Sequence, residues 1–137
     1  MSKPLRVCDA NIAIRLLRWD HDTCSPIARK LFERAESGEF TLYFTSGCVA
    51  EITWVLTSYY EQDRKEVALV LMELFQRPGI RLEHPQVTLA ALKDLTTKPV
   101  DFLDAFHARL ALEKGHEVVS FDRDFKKWPE LGWKRPE

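Results

Sequence analysis

The sequence predicts one α/β domain in which helices cover both faces of a mostly parallel sheet. Short apolar stretches, typical of buried strands, alternate with segments whose apolar residues recur at helical spacing. No two strand candidates are joined by a two-residue hairpin turn, so helices must connect them, as parallel strands require. The chain has 137 residues, 45% hydrophobic and 30% charged, which suits a single domain spanning residues 1–137.

The first half of the chain contains two strand candidates and three helix candidates. Residues 5–8 are apolar and end at Asp9, and residues 40–45 are aromatic and β-branched, so both favour strands. Residues 11–19 predict a short helix, and a second helix begins at Ser25-Pro26 and ends at Gly38. The third helix is indicated by one apolar stripe: Cys48, Ile52, Val55, Leu56 and Tyr59.

The second half of the chain continues the alternation of helices and strands. Another apolar stripe predicts a helix through Val67, Leu71, Leu74 and Phe75, and residues 80–82 predict a short strand. Residues 87–95 are weakly helical, and residues 102–114, closed by Gly115, predict the clearest helix. The last strand candidate covers residues 117–121, where we expect three side chains to be buried: Val118, Val119 and Phe121.

Composition bounds the environment in which the protein works. No run approaches the roughly 20 apolar residues of a membrane span, and the N-terminal stretch lacks the features of a signal peptide, so we expect a cytoplasmic protein that does not act at a membrane. Three cysteines without a CxxC pair fit a reducing compartment. His21 and Cys24 form HxxC, but the second half of a zinc site is missing. The net charge of −1 indicates no global basic surface for nucleic acid, although clustered carboxylates would hide a local basic patch.

Four acidic residues are expected to meet at one edge of the sheet. Asp9 and Asp122 follow strand candidates, and Glu51 and Asp104 lie near the starts of helices. In a parallel α/β sheet these places share the edge at the carboxyl ends of the strands. Each acid also has a simpler interpretation: Asp9 as a helix cap, Glu51 as a solvated helix residue, Asp104 as part of a capping box with Asp101, and Asp122 as a turn residue.

Carboxylates gathered within several ångströms repel one another, and a divalent cation removes that conflict. Oxygen ligands with few histidines favour Mg²⁺ or Mn²⁺ over zinc, and Asn11 adds an amide oxygen two residues after Asp9. Such a metal can generate hydroxide from bound water and neutralise a phosphoryl transition state. The pattern therefore favours metal-dependent hydrolysis of a phosphodiester by Asp9, Glu51, Asp104 and Asp122.

The stretches VCDAN, GCVAEITWVL, VDFLDAFHARLALEKG and VVSFDRDF, in this order and spacing, resemble the PIN domain, and in particular VapC-type toxin ribonucleases. The resemblance covers about 120 residues, from Leu5 to Phe125. It implies a three-layer α/β/α sandwich around a parallel sheet of about five strands, and a Mg²⁺- or Mn²⁺-dependent endonuclease that cuts single-stranded RNA.

The resemblance also implies roles for particular residues and partners. Asp9, Glu51, Asp104 and Asp122 match the acidic quartet of the family. Three further residues match supporting or accessory positions: Asn11, Asp101 and Asp124. Toxins of this type are usually homodimers, and a small antitoxin protein holds them inactive, so we expect both partners.

Basic and aromatic residues near the acids are candidate RNA contacts. The basic candidates are Arg15, Arg18, Arg123, Lys126 and Lys127, and ordinary surface charge explains each of them equally well. We expect His107 to be a half-buried histidine and Trp54 to pack in the core rather than stack on RNA.

Two alternative functions remain open at this stage. A haloacid-dehalogenase-like phosphatase would place its nucleophile at Asp9, but its second aspartate is replaced by Asn11, which cannot act as an acid or base. A non-catalytic module that binds RNA or a protein partner could also use this fold. The sequence does not distinguish a toxin from a housekeeping nuclease.

Overall fold

The computed structural model describes residues 3–136, and within that range it contains six α-helices and five β-strands. The strands are Leu5–Val7 (β1), Thr41–Phe44 (β2), Ile80–Leu82 (β3), Val118–Val119 (β4) and Trp133–Lys134 (β5). The helices are Ala10–Arg18 (α1), Cys24–Glu36 (α2), Ser46–Trp54 (α3), Arg64–Phe75 (α4), Pro85–Thr97 (α5) and Phe102–Lys114 (α6). A π-helix, Val55–Tyr59, continues α3, and a 3₁₀ helix, Arg123–Lys127, follows β4.

All strand pairs in the described chain are parallel, which confirms the predicted α/β class. The strands form two sheets, one with the order β1-β2-β3 and one that joins β4 to β5. The number of strands agrees with the expectation of about five, but the larger sheet holds three of them. β5 was not predicted, because two residues carry too little pattern to indicate a strand.

The last predicted strand is shorter and more exposed than expected. It ends at Val119, and the side chains of Val119 and Phe121 are 65% and 70% exposed. The prediction that these two residues are buried is therefore wrong. Side chains alternate between the two faces of a strand, so Val119 points away from the core against which Val118 packs, and Phe121 lies beyond the strand.

The core lies around β2, the middle strand of the larger sheet. Leu42 and Phe44 are fully buried there, and the ring of Phe44 packs against those of Phe32 and Phe75. Cys8 fills core space at the end of β1. These contacts fix α2 and α4 against the sheet.

Trp54 lies on the outer side of α3 and is exposed, so the prediction that it packs in the core is wrong. Its neighbours Ile52 and Thr53 take the buried positions of that turn. None of the described helices is both long and apolar enough to cross a membrane.

A buried ion pair anchors the C-terminal segment to α5 and α6. Asp94 is 3% exposed and accepts hydrogen bonds of 2.7 Å from both Nε and Nη2 of Arg109. The indole N–H of Trp128 donates to the same carboxylate at 2.9 Å. Burial opposes ionisation of Asp94, but the hydrogen bonds from Arg109 and Trp128 outweigh it and hold the pKa below its ordinary value. Because Trp128 directly follows the 3₁₀ helix, this network holds the loop after β4 in place.

Candidate active site

Three aspartates meet where the first turn of α6 approaches the loop after β4. Asp104, Asp122 and Asp124 each place a carboxylate oxygen within 4.8 Å of the others, and we call these three residues the acidic cluster. Asp104 lies in the first turn of α6, Asp122 precedes the 3₁₀ helix and Asp124 lies in its first turn. The structure thus brings together two of the four predicted catalytic acids and one predicted accessory acid.

Backbone capping positions the members of the acidic cluster. Asp101 caps α6 and accepts a hydrogen bond of 2.9 Å from the backbone N–H of Asp104. Asp122 caps the 3₁₀ helix and accepts a hydrogen bond of 2.8 Å from the N–H of Asp124, while Ser120 Oγ accepts one of 3.0 Å from the N–H of Asp122. The capping interpretation is therefore correct for Asp101, and Asp122, interpreted from the sequence as a turn residue, caps the 3₁₀ helix.

The neighbouring acids act on the carboxyl group of Asp104. Burial, followed by the charges of Asp101, Asp122 and Asp124, raises the pKa of Asp104 to about 6, and His107 opposes this shift. Among the described residues, Lys127 contacts the acidic cluster directly. Its Nζ donates a hydrogen bond of 2.8 Å to Asp124 Oδ1 and also donates to the carbonyl of Pro99.

Asp9 and Glu51 lie outside the acidic cluster. Asp9 caps α1, where its Oδ1 accepts a hydrogen bond of 2.9 Å from the N–H of Ala10, and Glu51 is exposed on α3. Both act on the thiol of Cys48: burial first, then the charges of Cys8, Asp9 and Glu51, raise its pKa to about 12. The charges of Asp9 and Glu51 both act on this thiol, whereas Asp104 and Asp122 meet in the acidic cluster.

The donor set of the acidic cluster fits a hard divalent cation. Three carboxylates supply oxygen ligands only, which suits Mg²⁺ or Mn²⁺ better than a metal that prefers nitrogen or sulfur. Among the described residues, no other group of three acids, histidines or cysteines brings its ligand atoms as close together. The residues that could hold such an ion are Asp104, Asp122 and Asp124.

The predicted basic contacts differ in how close they lie to the acidic cluster. Lys127 touches it through Asp124, and Arg123 is exposed between Asp122 and Asp124 in the chain. Lys126 lies 5.7 Å from the centre of the Trp133 ring. Arg15 forms an ion pair of 3.1 Å with Asp20 and lines a groove between α1 and α2.

Asn11 lines that same groove, next to Asp9 in the first turn of α1. Arg18 lies over the ring of Tyr60, 4.5 Å from its centre. Both Asn11 and Arg18 belong to α1.

A cleft of about 530 Å³ opens beside the acidic cluster, between α6 and β4. Asp104 and His107 line it at one end, and His116 and Glu117 at the other. The sequence indicates no role for His116 and Glu117, because it is the packing of α6 along β4 that places them in the same cleft as Asp104.

Comparison with known proteins agrees with this arrangement. A family model described as PIN domain matches residues 6–131. A search of curated proteins gave no match.

Proposed function

The chain belongs to the PIN domain family, and from that premise we propose that it is a divalent-metal-dependent endoribonuclease, acting as the toxin of a toxin–antitoxin pair. PIN domains are generally nucleases and typically use divalent metals. The observation that carries the proposal is the acidic cluster, in which three carboxylates share one small volume. Without a cation, such a cluster costs stability, so its presence favours a metal-binding role.

When bound, a divalent cation would supply an activated water and would neutralise the charge that develops on the phosphate. Asp104, Asp122 and Asp124 would hold the ion, and the capping hydrogen bonds to the backbone N–H groups of Asp104 and Asp124 support this arrangement. Lys127 restrains Asp124. Asp9 and Glu51 complete the set of catalytic acids in this proposal.

Two features support single-stranded RNA as the substrate. Phe121 directly precedes Asp122 and is exposed, so it offers a ring on which an unpaired base can stack. Arg123 and Lys126 are exposed beside it and can contact phosphates. Paired bases in a duplex could not use such a ring, which favours single strands and loops.

We further propose a homodimer and a small antitoxin as partners, with the cytoplasm as the place of action. Large apolar side chains are exposed on and next to α3, α4 and α6, as expected of a protein that binds other proteins: Trp54, Tyr59, Leu69, Val70 and Leu103. The exposed position of Trp54 supports this role in place of the core position predicted from the sequence.

The test compares Asp122→Asn with Asp63→Asn in cleavage of an end-labelled single-stranded RNA in Mn²⁺. Asp63 caps α4 as Asp122 caps the 3₁₀ helix, so the control makes the same change outside the acidic cluster. We expect Asp122→Asn to reduce cleavage by at least about 100-fold, because the residue is a metal ligand. The Asp63 variant should cut like the wild type. Equal activity of the two variants would reject the proposed site.

The position of Asp9 and Glu51 outside the acidic cluster favours one second candidate, a non-catalytic module that binds RNA through the same surface. This candidate predicts that purified protein retains RNA in a gel-shift assay with Mn²⁺ but produces no new RNA ends. The nuclease predicts new ends whose number grows with time.

A further inference from the structure

An aromatic ring and a guanidinium lie together next to the acidic cluster. Arg135 directly follows β5, and its Cζ lies 5.7 Å from the centre of the Phe121 ring. Phe121 directly precedes Asp122, a member of the acidic cluster, and its side chain is 70% exposed. We call Phe121 and Arg135 the aromatic–arginine pair. The chain places this pair one residue away from a carboxylate of the candidate metal site.

Hydrogen bonds fix β5 against the segment that leads to Asp122. The indole N–H of Trp133 donates to Ser120 O at 3.0 Å, and the N–H of Ser120 donates to Lys134 O at 3.0 Å. Ser120 Oγ in turn accepts a hydrogen bond of 3.0 Å from the N–H of Asp122. The backbone next to Arg135 is therefore tied to Asp122 through Ser120, and β5 belongs to the surroundings of the acidic cluster.

The distance between Arg135 and Phe121 leaves room on the face of the ring. Arg6 shows what a closely packed pair looks like, because its Cζ lies 3.9 Å from the centre of the Phe40 ring. At 5.7 Å, Arg135 is close enough to be attracted by the Phe121 ring but does not pack directly on it. The exposed ring is thus available to a flat ligand that would lie beside the guanidinium.

Arg135 also differs from its neighbour Lys134 in its charge partners. The Nζ of Lys134 lies 3.1 Å from Glu117 Oε2. Within residues 3–136, no carboxylate forms an ion pair with Arg135. The guanidinium carries five N–H donors in a planar fork, so it can offer two parallel hydrogen bonds to a ligand.

We propose that the aromatic–arginine pair binds one unpaired guanine of the RNA, in a nucleotide next to the phosphate that is cut. The base stacks on the ring of Phe121, and the guanidinium of Arg135 donates to guanine O6 and N7. A single strand leaves this edge of the base accessible. The proposal rests on the endoribonuclease function proposed above and gives it a base preference.

Guanine is the base that fits this pair best. Its O6 and N7 are adjacent acceptors, which match the two donors of the guanidinium. Adenine has N7 but carries an amino donor beside it, which repels an arginine donor. Cytosine offers two acceptors on another edge, but its smaller ring covers less of the Phe121 ring than a purine does. The pair therefore combines a stacking surface for a purine with hydrogen bonds that select guanine.

The first experiment measures the affinity for three labelled oligouridylates that differ only in one central base, which is guanine, adenine or cytosine. Fluorescence anisotropy in EDTA gives the affinities without cleavage. We expect the full chain to bind the guanine oligonucleotide at least about 5-fold more tightly than the other two. Equal affinities, tighter binding of adenine or cytosine, or no binding of RNA overturns the proposal.

Two variants of β5 and its neighbour assign the preference to Arg135. Arg135→Lys keeps the charge and loses the planar fork, so it should lose the preference and bind the adenine oligonucleotide within about 2-fold of the wild type. Lys134→Ala removes a charge from the adjacent position and should keep the preference, because loss of a phosphate contact weakens all three oligonucleotides alike. Both side chains are exposed, so neither change disturbs the core. A preference that survives in Arg135→Lys, or is lost in both variants, overturns the proposal.

Cleavage of the guanine oligonucleotide in Mn²⁺ separates this proposal from the nuclease function. Cuts next to the guanine support both. Cuts that ignore the guanine reject the proposed base site and leave the nuclease intact. A guanine preference in EDTA without any cleavage in Mn²⁺ supports binding of the base by Phe121 and Arg135 and rejects the nuclease.

Discussion

The indole N–H of Trp128 lies 2.9 Å from a carboxylate oxygen of Asp94, and both residues are buried. This bond links α5 to the segment that follows the 3₁₀ helix, and so supports the loop that carries Asp122 and Asp124. Its stabilising effect can be measured apart from any activity.

Trp128→Phe should lower the free energy of unfolding by about 1–3 kcal/mol, because it removes one hydrogen bond to a buried carboxylate and part of a packed ring. Urea denaturation followed by circular dichroism measures the change. Trp54→Phe is the matched control, since Trp54 is exposed, and it should stay within about 0.5 kcal/mol of the wild type. Equal effects of the two substitutions would contradict the anchoring role of Trp128.

The pKa of Asp104 predicts a pH dependence of stability. The folded chain keeps the proton up to a pH of about 6, whereas the ordinary value is 3.8, so the folded state binds more protons between these values. Stability therefore falls as the pH rises through this window.

Asp104→Asn cannot ionise and should escape that loss. With EDTA present, we expect it to be more stable than the wild type at pH 7.5 by on the order of 1 kcal/mol, a figure reduced for solvent screening. The advantage should shrink toward pH 4. Thermal denaturation across this range measures it, and a constant difference at every pH would show that the Asp104 carboxyl is not perturbed.

Divalent metal should stabilise the protein in proportion to the logarithm of its concentration above the dissociation constant. At 100 times that constant the gain is about 2.7 kcal/mol, which raises the melting temperature by several degrees. Differential scanning fluorimetry with Mn²⁺ checks this, with Asp63→Asn as a variant that retains the shift. Asp122→Asn should lose most of the rise in melting temperature. A rise as large as that of the wild type in this variant would show that the ion binds elsewhere.

Phe121→Ala should weaken binding of single-stranded RNA by about 1–3 kcal/mol, the usual contribution of one stacked base. Fluorescence anisotropy with a labelled oligonucleotide, measured in EDTA to prevent cleavage, gives the affinity. Tyr59→Ala also removes an exposed ring, but from the π-helix after α3, and should leave the affinity unchanged. A larger loss of affinity in Tyr59→Ala than in Phe121→Ala would indicate that RNA binds on the α3 side of the molecule.

Much of this architecture follows from local sequence signals, and the rest depends on contacts that those signals do not encode. Helix α6 and strand β3 have the predicted bounds. Gly115 ends the helix and Pro78-Gly79 precedes the strand, and both are local turn signals that do not depend on which elements pack nearby. The approach of Asp104 to Asp122 was predictable in the same way, since a helix start and a strand end share one sheet edge.

The exposed positions of Val119 and Trp54, and the bond between Asp94 and Trp128, were not predictable from the sequence. Hydrophobicity predicts burial of Val119 and Trp54, but burial requires a neighbour, and strand pairing and helix packing decide whether there is one. Asp94 and Trp128 are 34 residues apart, and neither belongs to a motif that indicates the other.

The most direct measurement of the central claim is anomalous X-ray scattering from crystals grown with Mn²⁺. We expect one strong anomalous peak within about 2.5 Å of carboxylate oxygens from both Asp104 and Asp122. A manganese peak bound elsewhere, with these carboxylates free of the ion at millimolar Mn²⁺, would contradict it.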